Sequence, residues 1–311
     1  MESPPVLKPK LSVIVPALRG YDTVLAALDS WEAQTCRDQL EILVLCPTRP
    51  ANAMLPPGQI VIETGSLELH KARCQGIRRA GSNFVVLAED HCLPDKFWAE
   101  RVLARMEEGW DAVGPALSCG NSGRMIAQAS FLLGYGQWMN PVAGGPAAVL
   151  PGHNAVLRTG KLLELGPALE RDLLVAAFLL RRLGERGCRF YLEHEATMRH
   201  FDVPLWARSS RIFLCVGMGF GAVRTAHWPL IGRALYWLAT PLIAARHWFR
   251  AVAHYRRAGA QAGLSPSCLA GALVLATAWA CGEAVGALMG VPLVTPFISF
   301  AEIKPVPRSA V

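Results

Sequence analysis

Three side chains able to bind metal stand in a row at Glu89-Asp90-His91, and Pro94 follows closely. They come directly after Phe84-Val-Val-Leu-Ala88, an apolar run with the length and composition of a buried strand. Carboxylate oxygens suit hard divalent cations such as Mg²⁺ and Mn²⁺, and imidazole tolerates Mn²⁺ better than Mg²⁺. A cation held there could bridge two phosphates and take up the charge that develops when a diphosphate leaves. The plainer reading is a helix start, with acidic side chains at the positive end of the dipole and Pro94 in the first turn. The triplet alone does not choose between the two.

The elements that would position these residues can be read from apolar spacing. Leu11–Pro16, Glu41–Cys46, Gln59–Glu63, Phe84–Ala88 and Ala112–Pro115 read as buried strands. Val24, Leu25, Leu28 and Trp31 recur at helical spacing and predict a helix over 22–33; further helices are expected over 67–80 and 94–107. This alternation predicts an α/β fold with a mostly parallel sheet flanked by helices on both faces. Ligands bind such sheets at the carboxyl ends of the strands, where Glu89–His91 fall. No Gly-x-Gly-x-x-Gly follows the first strand and no Gly-x-x-x-x-Gly-Lys-Ser/Thr occurs, so dinucleotide and phosphate-loop folds have no support.

Five stretches in register give the triplet a context. Leu11–Pro16 is followed by Leu28-Asp-Ser-Trp-Glu-Ala-Gln34, then by Ala72-Arg73-Cys74-Gln75-Gly76, then by the triplet. Pro151-Gly-His-Asn154 with Arg158 and Leu165-Gly166 come next, and Gly187-x-Arg189-x-Tyr191 with Ala196 and His200 close the series. Over residues 10–204 this resembles the family 2 glycosyltransferases of the GT-A fold. The resemblance implies transfer of a sugar from a nucleotide-diphosphate sugar, with a divalent cation (Mn²⁺ or Mg²⁺) as cofactor. It implies metal ligands at Asp90, His91 and His200, with Glu89 and Asp90 in or near the nucleotide contacts. Pro16, Ala17 and Arg73 would lie at the nucleotide, and Gly152, His153 and Asn154 would form the loop under the donor sugar and acceptor.

Two departures matter. Where the family often has paired aspartates after the second strand, this chain has Cys46-Pro47-Thr48, so base recognition is expected through Ala17, Arg19 or Arg73. Where the family has a Glu-Asp pair on a late helix, the stretch 169–180 is apolar at its centre and keeps only Glu170 and Asp172. Those two are the candidates for the general base, although acidic residues in a first turn also complement the helix dipole. The alternative reading is a catalytically degenerate relative that binds a sugar nucleotide as a membrane-bound module.

Composition divides the 311-residue chain near 204–228, with a catalytic domain over 1–204 and a membrane-associated region over 205–311. Apolar residues make up 52% of the chain, and the excess falls after Leu205. The formal charge of +7 comes from basic residues beside apolar, Trp-rich segments, which favours an anionic lipid surface and gives no support to a nucleic-acid partner. Nine cysteines, an odd number with no Cys-x-x-Cys, argue against both a zinc ribbon and a disulfide framework. The opening Met-Glu-Ser-Pro-Pro lacks a signal-peptide pattern, so the catalytic domain is expected to face the cytosol at the cell membrane.

Residues 226–250, interrupted by Arg233 and Pro241, predict an interfacial helix. Residues 268–289, with Glu283 as their single charge, form a possible span, the alternative being a hydrophobic hairpin docked on the preceding segment. Gly282, Gly286 and Gly290 repeat every fourth position, a face suited to close helix contact between copies of the chain. The basic residues Arg246, His247, Arg250, His254, Arg256 and Arg257 are expected on the cytosolic side and the Lys304–Arg308 tail on the far side. The acceptor is expected to be membrane-proximal, either lipid-linked or a polysaccharide.

Overall fold

The computed structural model describes residues 8–50, 55–304 and 306. Strands β1 (Leu11–Pro16), β2 (Leu40–Cys46), β3 (Gln59–Glu63) and β4 (Phe84–Leu87) pair in parallel in the order β3-β2-β1-β4. All six residues of β1 are buried, as an uninterrupted apolar run requires of a strand covered on both faces. Helices α1 (Leu25–Glu32) and α2 (Leu69–Arg79) make the crossovers. On α2, Gly76 is required because a side chain there would press on Ile14 and Leu45 of the sheet.

The second half of the sheet is mixed. It is built from β5 (Cys92–Pro94), β6 (Ala112–Cys119), β7 (Gly145–Ala147), β8 (Val156–Arg158) and β9 (Phe190–His200). β8 lies antiparallel between β4 and β6, β6 pairs in parallel with β9, and β5 and β7 are antiparallel to β9. The result is a nine-stranded mixed sheet in order β3-β2-β1-β4-β8-β6-β9-β5, with β7 on β9. Helices α3 (Trp98–Glu107), α4 (Met125–Tyr135), α5 (Thr159–Leu163), α6 (Ala168–Asp172) and α7 (Ala176–Glu185) flank it. The α/β fold agrees with the sequence expectation.

Two local expectations change. Pro94 does not open a helix: it ends β5, and α3 begins at Trp98. Pairing with β9 outweighs the first-turn preference of proline, and it sets Cys92 opposite His200. The helix expected over 169–180 is two helices, α6 and α7, separated by Leu173–Val175.

Beyond β9 the chain forms α8 (Trp206–Arg224), α9 (Leu230–Leu238), α10 (Thr240–His254), α11 (Cys268–Met289) and α12 (Val291–Glu302). The change near residue 204 is one of architecture and not of core. Phe213, Ala251, Cys268, Ala272 and Leu275 share a buried cluster with Ile126, Ala129, Leu117 and Met198 of the sheet half.

α8 and α11 pack backbone to backbone. A side chain at Gly282 would overlap the Leu214 carbonyl oxygen, and one at Gly286 that of Met218. From the other side, a side chain at Gly217 would overlap the Trp279 oxygen, and one at Gly221 that of Glu283. The glycine face expected to join two copies of the chain is therefore filled by the chain's own α8. Gly290 does not belong to that face; it ends α11 at φ +77°.

By length and composition α11 can cross a membrane, yet half of it is buried inside the protein. Both of its flanks are tied to the sheet half. Ser265 N donates to Gln128 Oε1 at 2.8 Å on one side, and Leu69 N donates to Ser299 Oγ at 3.0 Å on the other. A span would separate those ends by about 30 Å of hydrocarbon. The tail is corrected as well: Lys304, expected on the far side, sits among Asp90 and Asp202 of the site. Residues 307–311, with Arg308, lie outside the described residues.

Candidate functional site

The β5–β9 pairing is what brings the chemistry together. With Cys92 opposite His200 and Phe201 N donating to the His91 carbonyl at 2.9 Å, two histidines far apart in sequence meet at the carboxyl end of β4. Their rings stand edge to face with centroids 4.6 Å apart. His91 Nε2 lies 3.6 Å and His200 Nε2 3.7 Å from the oxygens of Glu89. One ligand atom from each of Glu89, His91 and His200 fits within 4.8 Å of the others.

The far nitrogen of each ring is fixed. His91 Nδ1 bonds Asp90 Oδ1 at 2.6 Å, and His200 Nδ1 bonds Asp202 Oδ2 at 3.0 Å. Both Nε2 atoms are buried without a hydrogen-bond partner. A carboxylate behind each imidazole and a bare nitrogen in front is the arrangement that holds histidine metal ligands in one tautomer. Unpaired buried polar atoms are costly, and a cation between them and Glu89 would remove the cost. The donor set therefore fits a divalent metal, with two nitrogens and a carboxylate as Mn²⁺ accepts.

Glu89 is held from three sides. Tyr135 Oη donates to its oxygens at 2.8 and 3.0 Å, and Asn154 Nδ2 donates at 2.6 Å. Asn154 also accepts from Glu89 N at 3.2 Å and keeps φ at +63°, a strained value for a residue with a side chain. Burial works against the charge of Glu89, but His91, His200, His153 and Lys304 outweigh it and hold the carboxyl well below the usual range. Burial, reinforced by Lys304, pushes His91 down, the direction that favours the neutral ring a metal ligand needs.

A cavity of about 290 Å³ opens beside this cluster. Its lining includes Glu89, Gly152, His153, Asp202, Glu302 and Lys304, the apolar Val216, Phe220 and Trp279, and the basic Arg224, Arg246, His247, Arg250 and His254. His153 Nε2 pairs with Glu302 Oε2 at 2.6 Å, and Lys304 Nζ lies 3.7 Å from Asp202 Oδ1. Burial opposes ionisation of Glu302, but His153 and Arg73 hold it at about 2. Lys304 is raised despite burial, because Asp202, Glu89, Glu302 and Asp90 surround it.

Of the residues singled out in the sequence, Glu89, His91, His200, Gly152, His153 and Asn154 gather here. Asp90 turns away from the other ligands, toward His91 Nδ1 and Lys304 N, so Glu89 stands where Asp90 was expected. Pro16 and Ala17 are buried at the end of β1, outside the cavity lining. Arg73 is buried behind the cluster and donates to the Ala88 carbonyl at 3.3 Å. Glu170 and Asp172 also lie outside the cavity, and Asp172 is paired with Arg182 at 2.9 Å. At the cavity wall stand instead Val175 and the first two residues of α7, Ala176 and Ala177. Tyr135, Asp202, Glu302 and Lys304 were not picked out from the sequence.

No known sequence family matches the chain, and no curated protein matches it. Among solved structures it is similar to GalNAc-T7, crystallised with UDP, GalNAc and Mn²⁺, at a TM-score of 0.48 and 13% identity. That likeness covers 62% of this chain and 43% of the other. It is also similar to S. aureus TarS at a TM-score of 0.44 and 14% identity, over 67% of this chain and 39% of the other. The chain thus spans less than half the length of either protein.

Proposed function

We propose that the protein transfers a sugar from a nucleotide-diphosphate sugar to an acceptor at the cytosolic face of a membrane, as a metal-dependent glycosyltransferase related to family 2. The observation that carries this reading is the pair of orphaned Nε2 atoms aimed at Glu89, each histidine backed by a carboxylate, at the strand ends where such sheets bind ligands. Glu89, His91 and His200 would hold the cation, which when bound would supply counter-charge for a departing diphosphate. Tyr135 and Asn154 keep Glu89 in place, so the ligand set is formed before any substrate arrives. Lys304 adds a fixed positive charge beside the same cluster. Gly152 leaves the loop before His153 flush with the first turn of α7, where a side chain would press on Ala176 and Ala177.

The test is thermal stabilisation by a panel of sugar nucleotides with and without Mn²⁺. A donor at a hundred times its dissociation constant adds about 2.7 kcal/mol, so one nucleotide sugar should raise the melting temperature in the presence of Mn²⁺. His91→Ala and His200→Ala should lose that rise while melting near wild type without ligand. A rise that survives in both variants, or no rise with any sugar nucleotide, would sink the reading. A second reading, a binding module without turnover, draws on the apolar start of α7 at the cavity. It predicts the same metal-dependent rise with no product from any acceptor.

A further inference from the structure

The cluster around Glu89 already contains a cation of the chain's own. Lys304 follows α12, and its Nζ stands 3.7 Å from Asp202 Oδ1, its one ion pair among the described residues. A bonded ammonium and carboxylate approach closer, to about 2.7–2.9 Å. Lys304 is thus placed in a field shared by Asp202, Glu89, Glu302 and Asp90, and not bonded to one of them. Its side chain is only 12% exposed. A lysine so far out of water is retained where negative charge around it offsets its desolvation.

The chain on either side anchors the lysine there. Before it, Leu69 N donates to Ser299 Oγ at 3.0 Å, and Glu302 Oε2 pairs with His153 Nε2 at 2.6 Å. Lys304 N itself donates to Asp90 Oδ1 at 3.1 Å. Ile303 is 4% exposed, and Val306 is buried in a cluster with Ala27, Leu93 and Phe201. Buried apolar side chains on both sides therefore hold the backbone that carries the charge.

The carboxylates that Lys304 faces are the ones that would make this a good metal site. Asp90 stands behind His91, Asp202 stands behind His200, and Glu89 offers a ligand oxygen itself. Carboxylates so placed strengthen imidazole ligands, and an ammonium in their field draws that strength down. Leaving the imidazoles aside, the four carboxylates Glu89, Asp90, Asp202 and Glu302 stand against two fixed cations, Lys304 and Arg73. The deficit of two charges suits one divalent ion; without Lys304 it would be three. Across a few ångströms of protein interior, one charge changes the binding of an ion by on the order of tenfold or more.

We infer that Lys304 regulates metal occupancy, an inference that rests on the metal centre of the sugar-transfer reading. In the free protein its ammonium is the resident counter-cation of the cluster, and a divalent ion binds against its charge. The free protein therefore holds the ion loosely. Firm binding waits for a diphosphate, whose negative charge offsets the ammonium and whose oxygens complete the ion's coordination. Metal and diphosphate then arrive as one unit, and the unliganded protein does not carry bare clustered carboxylates.

Binding of Mn²⁺ to the full chain tests this without donor or acceptor, read from the paramagnetic resonance signal of the free ion. Lys304→Met should bind Mn²⁺ on the order of tenfold more tightly than wild type, and Lys304→Arg, which keeps the charge, should match wild type. Lost packing alone would weaken the ion's site or leave it unchanged; it would not tighten it. After gel filtration, wild type should retain Mn²⁺ only with inorganic pyrophosphate present, whereas the Met variant should retain it without. If the Met variant melts early in EDTA, its melting temperature should climb more steeply with Mn²⁺ than that of wild type. An equal climb would overturn the inference and leave the metal centre standing. Equal Mn²⁺ affinity in the Met variant and wild type would do the same, as would retention of Mn²⁺ by wild type without pyrophosphate. Absence of Mn²⁺ binding in all three proteins would remove the metal centre too, and the sugar-transfer reading with it.

Discussion

α11 and the α9–α10 pair are both apolar, and they use that property in opposite ways. α11 has the more uniform apolar run, yet half of it is buried against α8, α4 and α10. Its glycines let α8 come so close that backbone meets backbone. α9 is shorter and carries Arg233, yet it buries nothing and leaves its leucines and tryptophan exposed. Hydropathy measures how much apolar surface a segment owns; it does not say whether the chain itself supplies the cover. The segment with small side chains found its partner inside the protein, because small residues allow close packing. The segment with large ones keeps its apolar surface available to lipid.

The largest expected effect tests the covered helix. Gly282→Leu would drive a side chain into the Leu214 carbonyl, a backbone atom that cannot step aside. Overpacking typically costs about 1–3 kcal/mol, and parting two helices lies at or beyond the top of that range. Thermal unfolding should show little or no folded protein; a melting temperature like wild type would mean α8 and α11 do not touch as described. Next comes Glu283→Ala, which leaves Arg224 and His247 without their carboxylate. Arg224 is about one-third exposed, so solvent screening limits the loss to about 1–3 kcal/mol. Denaturant melts would read that loss, and an unchanged midpoint would remove the network from the account.

His254 sharpens the comparison through pH. Burial, Arg250 and Arg257 push its imidazole down to about 4, so the folded state holds the neutral ring. The unfolded chain binds that proton near pH 6.5, and the contribution is therefore fully present above 6.5 and lost as pH falls through 4. His254→Gln should flatten the stability profile across that window; a parallel profile would place the proton uptake elsewhere. At the exposed helix, Leu235→Ser with Leu238→Ser should weaken vesicle binding severalfold while stability moves by less than about 0.5 kcal/mol. Vesicle binding unaffected by the pair would detach α9 from the membrane reading. Smallest of all, Glu170→Gln and Asp172→Asn should each lower turnover less than about tenfold, whereas a hundredfold loss would reinstate one of them as general base.

The sequence exposes some of this architecture and hides the rest for identifiable reasons. β1 to β4 are four to seven residues long and largely apolar, so their runs stand out. β5, β7 and β8 have three residues each, too few for any period to show, and the antiparallel half of the sheet rests on them. Within the triplet the residue types were legible but the division of labour was not. The turn at Asp90 and His91 between β4 and β5 sends Asp90 away from the ligand atoms of Glu89 and His91, and residue types alone do not show it. A two-residue step links His200 to Asp202 and Glu302 to Lys304. The latter pair was hidden by its setting, two charges at and just beyond the end of an apolar helix that reads as leading away from the candidate site. The partner of the α11 glycines was visible in principle, since Gly217 and Gly221 on α8 repeat at the same interval.

Lys304 N donates to Asp90 Oδ1 from 214 positions further along the chain, which has a bearing on how the molecule is made. During synthesis the parallel ladder can form once Phe84–Leu87 has emerged, because all four of its strands are then present. The histidine cluster waits for β9, and its charge balance waits for a segment about a hundred residues further on. Until then Glu89, Asp90 and Asp202 lack their internal cation. A nascent chain that has completed its sheet is thus still an unfinished site, and a divalent ion present at that stage would meet ligands not yet sharing their charge with a lysine.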